Sequence, residues 1–212
     1  MNKLFSAAAA IALGLAAATS AQAASPGVHL GFRAGYSLPA GDATGSAHDN
    51  LSRSVGAAIP LQFDATWEFA GKPIEAGIYA SYGFGSKGSE MQNATGTISL
   101  MSFGAQLNFL PPSDGTTRHW FGLLIGRESM SYTVTKSSTT LTSAITGWQG
   151  GLQGGTEWAV ADKFSIGPWV SATIGQYSNI SISDGDVTIS GDPKNTALHQ
   201  WISVGLRGSF GL

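Results

Sequence analysis

The chain has 212 residues, of which 42% are hydrophobic and only 11% charged, with a formal net charge of −2 and no cysteine. An ordinary soluble domain carries about 25% charged residues, so this composition leaves too few charges to cover a water-facing surface. The charge balance gives no basic footprint for nucleic acid. Without cysteine there is no disulfide framework, no thiolate metal site and no lipid-anchored lipoprotein terminus.

The only long apolar run is N-terminal: Lys3 precedes Leu4 to Ala18, and the small-residue segment Ala21-Gln22-Ala23 follows. A basic start, a short apolar run and an A-x-A site form a secretory signal peptide over residues 1–23, which leaves 24–212 as the mature domain. The run is short for a helical membrane span.

In the mature chain Val28, Leu30, Phe32, Ala34 and Tyr36 alternate with His29, Gly31, Arg33 and Gly35. This is a half-apolar strand of about ten residues, long enough to cross a bilayer when tilted. Residues 37–55, rich in Ser, Gly, Asp and Asn, read as a long loop. A second strand sets Ile59, Leu61, Phe63, Ala65 and Trp67 against Pro60, Gln62, Asp64 and Thr66, and turns at Ala70-Gly71-Lys72-Pro73. The third carries Ile74, Ala76, Ile78, Ala80, Tyr82 and Phe84 on one face and Glu75, Gly77, Tyr79, Ser81 and Gly83 on the other, before a polar loop at 86–96. The fourth presents Met101, Phe103, Ala105, Leu107 and Phe109 opposite Ser102, Gly104, Gln106 and Asn108, and stops at Pro111-Pro112-Ser113-Asp114-Gly115, a turn by composition.

The fifth strand puts Phe121, Leu123 and Ile125 outward and Gly122, Leu124, Gly126 and Glu128 inward. Arg127 then falls on the apolar side, which places it near an interface or beyond a bulge. Residues 129–143, rich in Ser and Thr, read as a third long loop. A sixth strand has Trp148, Leu152 and Trp158 outward and Gln149, Gln153 and Glu157 inward, turning at Ala161-Asp162-Lys163. The seventh runs Phe164, Ile166, Pro168, Val170, Ala172 and Ile174 against Ser165, Gly167, Trp169, Ser171 and Thr173, where Pro168 marks an edge or bulge. Residues 178–198 form a fourth polar segment. The last twelve residues then alternate to the end: Ile202, Val204, Leu206, Gly208, Phe210 and Leu212 on one face, and Trp201, Ser203, Gly205, Arg207, Ser209 and Gly211 on the other.

Eight strands joined by connections that alternate long and short, with an even strand number, match the plan of membrane barrels, which place short turns on the periplasmic side and long loops outside. Aromatics gather at both strand ends, with Tyr36, Tyr82, Phe84 and Tyr177 towards the loops and Trp67, Phe109, Trp120, Trp158, Phe164 and Phe210 towards the turns. Two such clusters read as interfacial girdles.

With this pattern the chain resembles the small eight-stranded outer-membrane barrels: the transmembrane domain of OmpA, OmpX and the opacity-type adhesins. Nearly everything after the signal peptide takes part in the resemblance, which is one of pattern rather than of a diagnostic motif. Barrels of this kind end on an alternating strand with an aromatic near the end and usually a terminal Phe, which the assembly machinery reads. Here Val204, Leu206, Phe210 and Leu212 stand in those places, and the final residue is Leu. The resemblance implies an all-β, eight-stranded antiparallel up-and-down transmembrane β-barrel of the bacterial outer membrane. It implies contact with outer-membrane lipid, lipopolysaccharide and the barrel-assembly machinery, a monomeric state, and an extracellular ligand for the loops whose nature is open.

Inward positions from the middle towards the periplasm include Arg33, Asp64, Glu75, Glu157 and Arg207, with Gln62, Gln106, Asn108 and Gln153 among them. An eight-stranded barrel is only wide enough for its side chains to fill, so these residues read as a polar plug in which charges must pair or be hydrated. The alternative is a narrow solute path, which the inward glycines Gly77, Gly83, Gly104, Gly151 and Gly155 favour.

Signals for catalysis and metals are thin, and no enzyme, cofactor or metal is expected. Gly83-Phe84-Gly85-Ser86-Lys87-Gly88 matches G-x-G-x-x-G but leaves a strand for a loop with no helix to face a phosphate. Some eight-stranded barrels modify lipid A with His and Ser near the outer rim. His199 and Ser203 lie there, but four positions along one strand separate them by roughly 13 Å. His29 and His119 fall near the periplasmic ends and His48 in a loop, so no histidine cluster is expected. Asp184-Gly185-Asp186 with Asp192 lacks calcium-loop spacing and reads as an acidic turn. The sequence thus points to a barrel with a structural or surface-interaction role through four outward loops, ahead of a narrow channel or a lipid A-modifying enzyme.

Overall fold

The structure, a computed structural model, describes residues 27–43, 50–92, 95–113, 116–136, 139–193 and 195–212; the expected signal peptide, His48 and the Asp114-Gly115 pair lie outside them. Strands run Val28–Gly41 (β1), Val55–Glu68 (β2), Ile74–Lys87 (β3), Thr97–Phe109 (β4), Thr117–Lys136 (β5), Thr139–Ala161 (β6), Phe164–Ser183 (β7), Thr188–Gly191 (β8) and Leu198–Gly211 (β9), with one short helix, Leu51–Ser54 (α1). Each barrel strand pairs antiparallel with its sequence neighbour, β7 pairs β9, and β9 pairs β1 from Gly211↔His29 to His199↔Gly41. The result is a closed ring of eight strands, while the four-residue β8 stands outside it, paired to the end of β7.

Closure removes every edge within the ring, and the pleat then sends alternate side chains to opposite faces. The faces are inverted relative to a soluble protein. Ile78, Leu152 and Phe63 are 67%, 64% and 63% exposed, whereas Arg33 and Arg207 are 1% exposed and Glu157 is fully buried. Large apolar side chains outside and charges inside suit a hydrocarbon surround and a filled lumen, and they exclude the soluble-barrel arrangement.

The strands reach further outward than composition suggested. Residues 129–136 and 139–143 are strand and not loop: β5 and β6 have 20 and 23 residues against 13 or 14 for β1 to β4. The Ser/Thr content conceals a hairpin, because β-branched Thr suits a strand and cross-strand hydroxyl pairs Thr133–Thr142 and Thr135–Thr140 meet at 3.2 Å. β1 likewise extends to Gly41, and the segment after Ser178 holds the end of β7 and all of β8.

A bulge at Ser178 changes the facing. Gly147↔Tyr177 is followed by Thr146↔Asn179, so Ser178 is the extra residue. Beyond it Ile180 and Ile182 oppose Ile145 and Ser143, which in turn oppose Met130 and Tyr132 on the axial face of β5. The raised sheet of β5 to β8 therefore puts Met130, Tyr132, Ile145, Ile180, Ile182 and Ile189 on the face continuous with the lumen side of β5, where Ile182 and Ile189 stay exposed, and Ser131, Thr133, Thr142 and Ser181 on the other.

Of the two places expected for Arg127 the bulge is excluded, and the expectation for Pro168 changes. No register shift occurs at Arg127, so it faces outward on a regular strand, 5.2 Å from the centre of the Trp148 ring. Pro168 lies on an interior strand, not an edge or a bulge. Its missing N–H falls where the β6–β7 pairing passes from Gly155↔Trp169 to Trp158↔Ile166 with the register unchanged.

Candidate functional site

The lumen is built from the inward face of all eight strands and divides into two levels. In the inner one, Arg33 on β1 donates from Nε to Asp64 Oδ2 at 3.1 Å, from Nη1 to Gln153 Oε1 at 2.6 Å and from Nη2 to Gln106 Oε1 at 3.1 Å. Arg207 on β9 donates to Asp64 Oδ1 at 2.8 Å and to Glu157 Oε1, and the other Glu157 oxygen accepts from Ser209 Oγ at 2.6 Å. Asp64 is thus the bridge between two guanidinium groups, and a Cβ on Gly31 would strike its carboxylate, so the glycine makes room for it.

Glu75 belongs to a neighbouring set. It accepts from Asn108 Nδ2 at 2.8 Å and Arg118 Nη2 at 2.6 Å, with His29 Nδ1 at 3.2 Å. Gln153 Nε2 links the sets by donating to Gln106 at 2.9 Å and Asn108 at 2.8 Å. All five inward charges read from the sequence meet here, but the cation beside Glu75 is Arg118, which the sequence reading missed although it shares the parity of Gly122 and Leu124. Each oxygen of Asp64, Glu75 and Glu157 accepts a hydrogen bond, so the desolvation of these carboxylates is matched by partners. Gln106 Nε2, Arg118 Nη1 and Arg207 Nε remain without a protein partner.

Trp120 and Trp169 complete this level. The guanidinium carbons of Arg33 and Arg207 both lie 5.0 Å from the centre of a Trp120 ring system, and Arg33 lies 5.6 Å from that of Trp169, within cation–π range. Trp120 was expected in the turn-side girdle and instead is buried in the lumen, where its indole lies over Gly155. Gly155 therefore admits a ring rather than opening a path.

The outer level is different. Above Gln62 and Gln149 lies a cavity of about 90 Å³ bordered by Ser37, Ser102, Ser171, Ser203, Tyr79 and Thr173, with room for several water molecules. Glu128 accepts from, or donates to, His199 Nε2 according to protonation, and the His199 ring stacks on Tyr177 at 4.0 Å. Tyr177 is thus a lumen residue and not part of the loop-side girdle. Ser203 bonds Ser37 at 2.5 Å, so His199 and Ser203 do not act on each other.

At the mouth above the cavity Leu51, Val55, Ala58, Ile98 and Trp201 form an apolar cluster, with Met130 and Tyr132 packed against them. Asn50 caps α1 by accepting from Ser52 N at 3.0 Å, which presents fully buried Leu51 to the mouth. Arg53 and Glu90 pair at 3.0 Å and tie α1 to the β3–β4 connection. On the outer loops, Asp184 Oδ1 accepts from the backbone N–H groups of Val187 and Asp186, which hold its carboxyl below the ordinary aspartate range. That carboxylate already serves the turn.

At the inner end a single histidine stands among carboxylates. His29, Glu68 and Glu75 bring three potential ligand atoms within 4.8 Å of one another. Arg118 Nη2 occupies the same place, 3.3 Å from Glu68 and 2.6 Å from Glu75. The chemistry is therefore that of an ion-pair cluster in which a guanidinium supplies the positive charge.

No protein-family model matches the chain, and no curated protein matches it in sequence. Among solved structures it is similar to Neisserial surface protein A, with a TM-score of 0.55 at 12% identity over 85% of this chain and 95% of that one. It is similar to OprG of Pseudomonas aeruginosa at 0.55 and 13% identity, over 91% of this chain and 100% of that one. A major outer membrane protein of Thermus thermophilus aligns at 0.53 and 11% identity, over 86% and 98% of the two chains. The chain has the fold of bacterial outer-membrane β-barrels.

Proposed function

We propose that the protein is an integral barrel of the bacterial outer membrane whose role is structural or surface-interactive, carried by the raised β5–β8 sheet and the outer loops. The observation that supports this reading is the inner plug, where Arg33, Arg207 and Arg118 interlock with Asp64, Glu157 and Glu75 across the lumen. An ion path through this level has to break several buried charge-assisted bonds at once. In this reading residues 1–23 are the secretory signal, and Val204, Leu206, Phe210 and Leu212 present the apolar closing face that the assembly machinery reads.

The alternative, a narrow channel, draws on the outer cavity, which reaches inward as far as Gln62, Leu124 and Trp169. Planar-bilayer recording separates the two. The purified barrel is expected to give no discrete single-channel steps; reproducible steps from wild-type protein would favour the channel.

A further inference from the structure

Across the wall of the barrel the outward side chains are apolar or uncharged, with a single exception. Among the described residues, Arg127 is the one Arg, Lys, Asp or Glu that points outward between the two ends of the eight strands. Its partner is the Trp148 ring, and no carboxylate of the chain lies within ion-pair distance of it among those residues. A ring face attracts a guanidinium but does not neutralise it. A charge against hydrocarbon is tolerated only near an interface, with a counter-charge or water.

Its level fits that condition. Arg127 lies ten residues along β5 from Thr117; at about 3.3 Å rise and roughly 40° of tilt this is about 25 Å above the inner end, the height of the apolar band of such barrels. Directly below are Ile125 and Ile174, and directly above Ser129 opposes Thr146. On the next strands Trp148 opposes Gln176. A guanidinium fork, two hydroxyls, an amide and an indole N–H thus gather on the β6–β7 side of Arg127, while Phe103 and Met101 continue the apolar wall on its β4 side.

We infer that Arg127, with Trp148, Ser129, Thr146 and Gln176 around it, is a binding site for the phosphate of an anionic lipid headgroup in the outer leaflet. The planar fork of Arg matches phosphate in a bidentate manner, and the lipid supplies the counter-charge that no described residue supplies. The inference rests on the membrane reading above.

The test uses folded full-length mature protein in alkyl maltoside micelles, which contain no phosphate, titrated with lipid A and followed by native mass spectrometry. Wild type is expected to retain lipid A, Arg127→Gln to bind about tenfold more weakly or worse, as the loss of a charge-assisted contact requires, and Arg127→Lys to fall between. Lys72→Gln, at the opposite end of the barrel, is expected to match wild type. Equal retention by wild type and Arg127→Gln, or an equal loss in Lys72→Gln, would overturn the site. Displacement of lipid A by inorganic phosphate at the same concentration would overturn the lipid assignment. Insertion of wild type into phosphatidylcholine vesicles, read by heat-dependent gel mobility, is scored separately, and its failure would overturn the membrane reading instead.

Discussion

Around Arg33 and Arg207 the lumen is filled by paired charges, whereas above Gln62 and Gln149 it holds a cavity between hydroxyls and apolar side chains, with Leu51, Val55, Ile98 and Trp201 clustered at its mouth. The radius of the ring is set by its strand number, so the difference lies in the side chains. Long guanidinium groups and two indoles span the inner level, while short Ser and Thr leave the outer level unfilled. Full desolvation obliges each buried carboxylate oxygen to find a donor. Donors are left over at both levels, Gln106 Nε2 and Arg207 Nε in the inner one and Gln62 Nε2 beside the cavity, but only beside the cavity is there room for water to reach them.

The largest expected effect breaks the inner level. Arg207→Met leaves Glu157 and one oxygen of Asp64 without their cation, and is expected to cost about 3 to 5 kcal/mol of unfolding free energy, as for one side of a buried pair. Urea unfolding in detergent measures it. A loss near zero would mean that water fills the inner level too, and would strengthen the channel reading.

A smaller contrast sets the lumen against the outer wall. Leu206→Lys places a charge against hydrocarbon at about 2 to 4 kcal/mol near the midplane, while Ser203→Lys, facing the cavity, is expected to cost less. Folding of both variants into vesicles, scored by gel mobility, reads the order; a block by Ser203→Lys with free insertion of Leu206→Lys would invert the two faces.

The smallest effect lies in the outer level. Glu128→Gln keeps the shape beside His199 and removes the charge, and with water at hand is expected to cost about 1 kcal/mol. The same urea titration checks it: a loss as large as that of Arg207→Met would show that both levels are equally dry.

Much of this was legible because strand alternation is local. His29, Arg33, Asp64, Glu75 and Glu157 could each be assigned inward from their immediate neighbours, and the short Pro- and Gly-bearing turns separated the strands. Composition misled where it was read without periodicity: the Ser/Thr-rich stretch contains Met130, Tyr132 and Val134 in strict alternation, a strand signal inside a polar segment. Trp120 and Tyr177 were placed in girdles because aromatic residues at strand ends suggest an interface, although their parity puts both inside.

The sequence by itself determined the strands, their faces and the membrane-barrel pattern, since a two-residue period follows from the backbone pleat of each segment alone. Only the tertiary structure decided which charges meet. Arg207 reaches Asp64 across 143 positions and Glu157 across 50, and Arg118 rather than Arg33 answers Glu75. It also decided that Ser178 forms a bulge and brings Ile180 and Ile182 onto the same face as Ile145 and Met130. The physical reason is that these outcomes depend on ring closure and on the register between strands, which bring distant segments to one level of the lumen and are not encoded in any single strand.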